Sequence, residues 1–372
     1  MLMSFACVGV CMSLIGSHLP AQDKKEEKKV EKKKDEKKKE EKKVEKKPAM
    51  PPTVSDSYGK HPRQVIDFYQ AKSDKPTPVV FYIHGGGWQG GDKSSINPKA
   101  FLDAGISVAA INYRYVKNGV EENVVPPVKA PLDDAARALQ FLRSKASEWN
   151  IDKKRIGATG GSAGACSSLW LAFHNDMANP KSSDPISRES TRLWCAAVNG
   201  AQTTLDPKDL REWLPNYTYG AHAFGLKSFD ELHENRESVL KWIKEYSPSE
   251  HATKDDPPIG LFYGGDKDAK VGGIHKDPTH SPVMGMKLAE KLKGLGVDVV
   301  MSYTGHPDAK YANSQVYLID KLKTAAPAVV TEPPTPKTKT PPPQTTPAEA
   351  TQPSTEDRRP LRRLLDRLRL RR

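Results

Sequence analysis

Along the chain, short uninterrupted apolar runs alternate with longer stretches whose apolar residues recur every three to four positions. The run at 78–83 (Pro78, Val79, Val80, Phe81, Tyr82, Ile83) is bounded by prolines and reads as a buried strand of a parallel sheet. Comparable runs lie at 106–114, around Arg155 to Ala158, at 257–263 and at 297–303. Between the second and third of these, Pro131, Leu132, Asp133 and Asp134 lead into a helix reaching Phe141 and Leu142. After Ser162 the residues Leu169, Trp170, Leu171 and Phe173 suit a helix packed back on the sheet. The pattern predicts an α/β fold with a mostly parallel central sheet and helices on both faces, spanning 54–325.

Chemistry is concentrated at the ends of two strands. The first run ends in His84, Gly85, Gly86, Gly87 and Trp88, and three consecutive glycines there expose bare backbone N–H groups to a substrate oxygen. The third ends in Gly160, Gly161, Ser162, Ala163 and Gly164, a Gly-x-Ser-x-Gly on a strand–turn–helix. A serine on so sharp a turn needs small residues two positions to either side. The Ala163 N–H at the following helix N-terminus points to where a tetrahedral oxyanion forms. Ser162 is therefore the candidate nucleophile. Neither motif alone separates this chemistry from an ordinary tight turn, but their order and their strand contexts do.

With both motifs in place, the chain resembles the α/β-hydrolase superfamily, and within it the carboxylesterases with an HGGG motif: hormone-sensitive-lipase-like and acetyl-xylan- or feruloyl-esterase-like enzymes. The resemblance covers roughly 65–323. It implies that Gly86, Gly87 and Ala163 form the oxyanion hole, that His84 braces the oxyanion loop, and that Tyr113 and Arg114 are scaffold. It also implies an acid and a histidine following Ser162 in that order. The family pattern Gly-x-x-Asp after the strand at 257–263 selects Asp268, with Asp266 as near competitor. The Gly-His pair after the strand at 297–303 selects His306. The long loop from Ala269 to Ser281 carries a second polar cluster, His275, Asp277 and His280, from which a triad member can also come.

The segment 203–257 is longer than a strand–helix–strand connection requires and is rich in aromatics, so a small cap is expected there. Trp88, Trp213, Tyr217 and Tyr219 are the candidate pocket residues, whereas Trp242, Ile243 and Tyr246 share one helical face and read as packing. The remaining histidines, His61, His174, His222, His233 and His251, lack metal-ligand spacing, and no GxxxxGK[ST] loop occurs. No metal, nucleotide or other cofactor is implied.

Composition refines the reading. The formal net charge of +12 looks like that of a polyanion binder until it is located. Residues 24–47 hold 14 Lys against 8 acids, and 357–372 hold 8 Arg against 2 Asp, which leaves 36 basic and 36 acidic residues elsewhere. The catalytic region is neutral, so nucleic acid is not its expected partner. Residues 1–21 resemble a secretory signal peptide although no Lys or Arg opens them, which predicts a secreted or cell-envelope protein. Residues 22–53 read as a charged low-complexity spacer and 326–356 as a Pro/Thr-rich linker. In 357–372, Leu361, Leu364, Leu365 and Leu368 fall on one helical face among arginines, which suits a membrane surface or an acidic polymer. Beyond the signal only Cys166 and Cys195 remain, in apolar context, and both read as buried thiols. The expected activity is serine carboxylesterase on short acyl esters, small or linked to polysaccharide. A peptidase on the same fold and a catalytically inactive binding protein are the alternatives.

Overall fold

The computed structural model describes residues 50–324. The expected signal peptide, most of the Lys/Glu spacer, the Pro/Thr linker and the basic tail lie outside the described residues. Eight strands form one sheet: β1 (Val54–Ser57), β2 (Val65–Tyr69), β3 (Thr77–Ile83), β4 (Ser107–Ile111), β5 (Ile151–Gly161), β6 (Cys195–Asn199), β7 (Ile259–Tyr263) and β8 (Val299–Tyr303). Their order is β1-β2-β4-β3-β5-β6-β7-β8. The pairs β1–β2 and β2–β4 are antiparallel, and every other pair is parallel.

The apolar runs are continuous because both faces of the sheet are covered. Val79, Phe81 and Ile83 of β3 enter one core with the helices Lys129–Ser144, Ala163–Phe173 and Pro282–Gly294, while Val80 enters a second core with Phe101, Tyr317, Leu318 and Leu322. Strand β4 is shorter than its apolar run, because Asn112 leaves the sheet to accept the Lys93 N–H and Arg114 turns to Asp134. Asp134 is buried, and Arg114 holds it through Nε and Nη2 while Gln64 donates to the same carboxylate. This anchors the helix Lys129–Ser144 to the antiparallel edge. Cys166 and Cys195 are free and buried, and burial pushes both thiols up.

The segment 203–257 folds into the helices Pro207–Trp213, Phe229–Glu234 and Arg236–Tyr246 with short 3-10 turns between and after them. Trp242, Ile243 and Tyr246 are buried together, as their helical spacing predicts. Among the described residues no helix is long and apolar enough to cross a membrane.

Candidate active site

Strands β3, β5, β6 and β7 run parallel and end at one edge of the sheet, which brings Ile83, Gly161, Asn199 and Tyr263 side by side. Ser162 follows β5 directly, with φ 53° and ψ −122°, outside the regions a side chain ordinarily adopts. Two hydrogen bonds hold it there. Its N–H donates to the Asn199 carbonyl (3.0 Å), and its carbonyl accepts the Cys166 N–H (2.9 Å). Gly164 must lack a side chain, because a Cβ there would collide with the carbonyl oxygens of Ile83 and His84 where helix and β3 meet. Ala163 opens the helix, so its N–H has no intrahelical acceptor.

The glycine loop after β3 packs against the nucleophile: a Cβ on Gly85 would lie 3.6 Å from that of Ser162. Gly87 adopts φ 62°, and a side chain on it would drive into the Tyr219 hydroxyl. Beneath the loop, the His84 ring stacks on Tyr113 at 4.2 Å and donates from Nδ1 to the Gly85 carbonyl (2.7 Å), while Arg63 approaches Nε2 (3.4 Å). Burial lowers the His84 pKa. Above the loop, His222 Nε2 donates to the Gly87 carbonyl (2.8 Å), and burial lowers its pKa as well. His222 carried no motif in the sequence. Only the fold of the insertion brings it to the glycine loop.

The imidazole that meets Ser162 is that of His280. Its Nε2 lies 2.9 Å from Ser162 Oγ, and its Nδ1 lies 2.7 Å from Asp277 Oδ2. The Asp277 carboxylate also caps the 3-10 turn Pro278–His280 by accepting the His280 backbone N–H (3.3 Å). Gly200, at the end of β6, lies under the imidazole, and Gln202 Nε2 donates to the Thr279 carbonyl (2.7 Å). The chain order is Ser, Asp, His, but acid and base share one turn before the helix Pro282–Gly294.

His306 and Asp268 do not join this group. The His306 ring is exposed and stacks on Tyr303 at 4.5 Å, where a tight turn after β8 exchanges two backbone hydrogen bonds between these residues. Asp268 is exposed, and with Asp266, Lys267, Lys270 and His275 it lines a polar cleft of about 580 Å³. Asp266 faces His275 Nδ1 at 3.5 Å instead of His280. The physical reason is the loop 264–281. It folds back over the ends of β6 and β7 and delivers its own histidine before β8 begins.

The pocket residues separate in the same way. Trp88 is 2% exposed and donates from Nε1 to Ser167 Oγ (3.0 Å), so it is core. Tyr217 is equally buried, edge-on to Phe229. Trp213 and Tyr219 are half-buried, and the Tyr219 hydroxyl stands against Gly87 of the glycine loop. The insertion grips the acid–base loop too: the Gly272 N–H donates to the Trp213 carbonyl (2.8 Å), and Asn216 Nδ2 donates to that of His275 (2.7 Å).

The chain is similar to known proteins. The BD-FAE family model matches residues 66–276. Carboxylesterase NlhH of Mycobacterium tuberculosis is 32% identical over 235 residues, 60% of this chain and 63% of that protein. Gut esterase 1 of Caenorhabditis elegans is 31% identical over 165 residues, 42% of this chain and 29% of that protein. The chain thus spans less than two thirds of the length of these curated relatives. Among solved structures, the acetyl ester-xyloside bifunctional hydrolase from Caldicellulosiruptor lactoaceticus superposes with a TM-score of 0.52 at 22% identity, covering 71% of this chain and 89% of that one. A truncated carbohydrate esterase from gut microbiota superposes at 0.54 with 18% identity, covering 74% and 100%. At these identities the likeness is one of fold.

Proposed function

Since the chain belongs to the BD-FAE family, we propose that it is a serine carboxylesterase acting on short acyl esters, with acylated carbohydrate as the substrate class. The observation that carries this reading is the 2.9 Å approach of His280 Nε2 to Ser162 Oγ. An imidazole whose Nδ1–H is held by a carboxylate presents a lone pair at Nε2, and that lone pair takes the hydroxyl proton as Oγ attacks. In this reading Ser162 forms the acyl-enzyme, and His280 passes its proton to the departing alcohol. His280 then deprotonates the water that releases the acid. Asp277 stabilises the transient imidazolium. The N–H groups of Gly86, Gly87 and Ala163 face the carbonyl oxygen as it gains charge.

The short acyl length is supported by the crowding of the glycine loop, where Tyr219 stands against Gly87 and His222 braces the Gly87 carbonyl. The carbohydrate assignment is supported by the fold likeness to an acetyl ester-xyloside hydrolase and a carbohydrate esterase. The test is release of acetate from 4-nitrophenyl acetate and from acetylated xylan by the full chain and its Ser162→Ala variant. Equal rates from the two would overturn the esterase reading. Turnover of the small ester alone would overturn the carbohydrate assignment and leave the chemistry standing.

A further inference from the structure

A second group of ligating side chains lies at the far end of the nucleophile helix. His174 caps the C-terminus of Ala163–Phe173, Glu245 lies in the last turn of Arg236–Tyr246, and His251 ends the 3-10 turn Pro248–His251. They are far apart in sequence, yet one donor atom from each lies within 4.8 Å of the other two. Among the described residues no other group of three His, Cys, Asp or Glu side chains comes together in this way.

The hydrogen bonds fix which ring nitrogens are free. His174 Nδ1 lies 2.9 Å from the Asn175 carbonyl oxygen, so it carries the hydrogen. His174 Nε2 then presents its lone pair to Glu245 Oε1, 3.3 Å away. Two acceptors facing one another repel unless a metal cation or a proton lies between them. His251 Nε2 donates to the Glu245 carbonyl (2.7 Å), which leaves its Nδ1 lone pair free. Each histidine therefore gives one N–H to a backbone carbonyl, as metal-bound histidines commonly do. The rings are also held in place: His174 packs on Trp170 at 4.8 Å and on His251 at 4.7 Å, and Trp170 Nε1 donates to the same Glu245 carbonyl (2.8 Å). The carbonyl end of an eleven-residue helix adds partial negative charge beside the site.

We propose that His174, Glu245 and His251 form a divalent-cation site that fastens the end of the nucleophile helix to the 203–257 insertion. Two imidazole nitrogens and one carboxylate oxygen, with water completing a tetrahedron, select zinc over magnesium or calcium. The ion stands away from Ser162 and is structural.

The experiment uses the tag-free full chain, stripped with EDTA and titrated with ZnCl2 or MgCl2. The expected result is one Zn2+ retained per chain after gel filtration and a melting temperature raised by about 5 °C at a hundredfold excess over Kd, with no response to Mg2+. Glu245→Gln and His251→Ala should each weaken Zn2+ binding at least roughly tenfold while melting like the wild type without metal. Asp277→Asn should bind Zn2+ unchanged, which separates this site from capture by the His280 pair. Zinc binding that survives Glu245→Gln would overturn the proposal. So would the absence of any shift at millimolar Zn2+ with stabilisation on acidification that Glu245→Gln abolishes, since His174 and Glu245 would then be only a protonated ion pair.

Discussion

Asp277 accepts two hydrogen bonds from His280, one from its backbone N–H and one from its ring Nδ1–H. The same carboxylate thus shapes the turn and aims the imidazole at Ser162. His280→Ala should lower kcat by on the order of 10^4-fold or more. Asp277→Asn should cost between about 10^2- and 10^4-fold, because the amide admits the wrong imidazole tautomer. His306→Ala and Asp268→Asn should stay within about threefold of wild type, since neither side chain reaches Ser162. Steady-state kinetics on 4-nitrophenyl acetate checks all four. A collapse in His306→Ala with a silent His280→Ala would reverse the assignment.

Gly87 and Tyr219 form a second coupled pair. Gly87→Ala imposes both a strained positive φ and a collision with the Tyr219 hydroxyl. If its N–H is an oxyanion donor as proposed, kcat should fall by about 10^2-fold or more. In a Tyr219→Ala background the collision is gone and only the backbone strain remains. The Gly87→Ala penalty should then shrink, and a double-mutant cycle on kcat measures the difference as a coupling. Strictly additive penalties would show that Tyr219 does not press on the loop.

The two histidines that brace the glycine loop give it a pH dependence. Burial lowers the pKa of both His84 and His222, so the unfolded chain binds their protons more readily than the folded one. Their contribution to stability is complete above the ordinary histidine pKa near 6.5. It is lost as pH falls from there through the depressed folded values. Urea midpoints should therefore drop between pH 7.5 and 5.0. The drop should be smaller in His222→Asn, which removes one of the two groups. An identical drop in that variant would remove His222 from the account.

The sheet was legible in the sequence because strands covered on both faces lack the polar alternation of a half-exposed strand, as β7 and the 78–83 run of β3 do. The tight turn at Ser162 and the glycine loop after β3 were legible because a close approach of backbones demands small residues at fixed spacing. Acid and base carry no such constraint: any loop that reaches the sheet edge can present them. The Gly-His pair after β8 and the Gly-x-x-Asp after β7 are there, but the loop 264–281 folds across the site first and supplies Asp277 and His280, residues the sequence marked only as a second possibility. His174, Glu245 and His251 show the same limit, because their meeting depends on how the insertion docks and not on spacing. Trp88 erred in the opposite direction, as its place beside the glycines suggested a pocket wall.

Trp88 instead ties the oxyanion loop to the nucleophile helix. Its Nε1 donates to Ser167 Oγ (3.0 Å), and that hydroxyl donates to the carbonyl of Ala163 (2.9 Å), the residue that follows Ser162. Trp88→Ala should destabilise the fold by about 3–5 kcal/mol, the usual cost of emptying a buried indole site. Ser167→Ala should cost about 1–3 kcal/mol, because it leaves the indole N–H buried without an acceptor. Urea denaturation with a constant m-value measures both. A pocket-wall tryptophan would behave differently: Trp88→Ala would then raise KM while leaving the urea midpoint in place. Since both residues sit under the oxyanion loop, the destabilised variants should also lose kcat in the order of their stability loss, with Trp88→Ala the more severe.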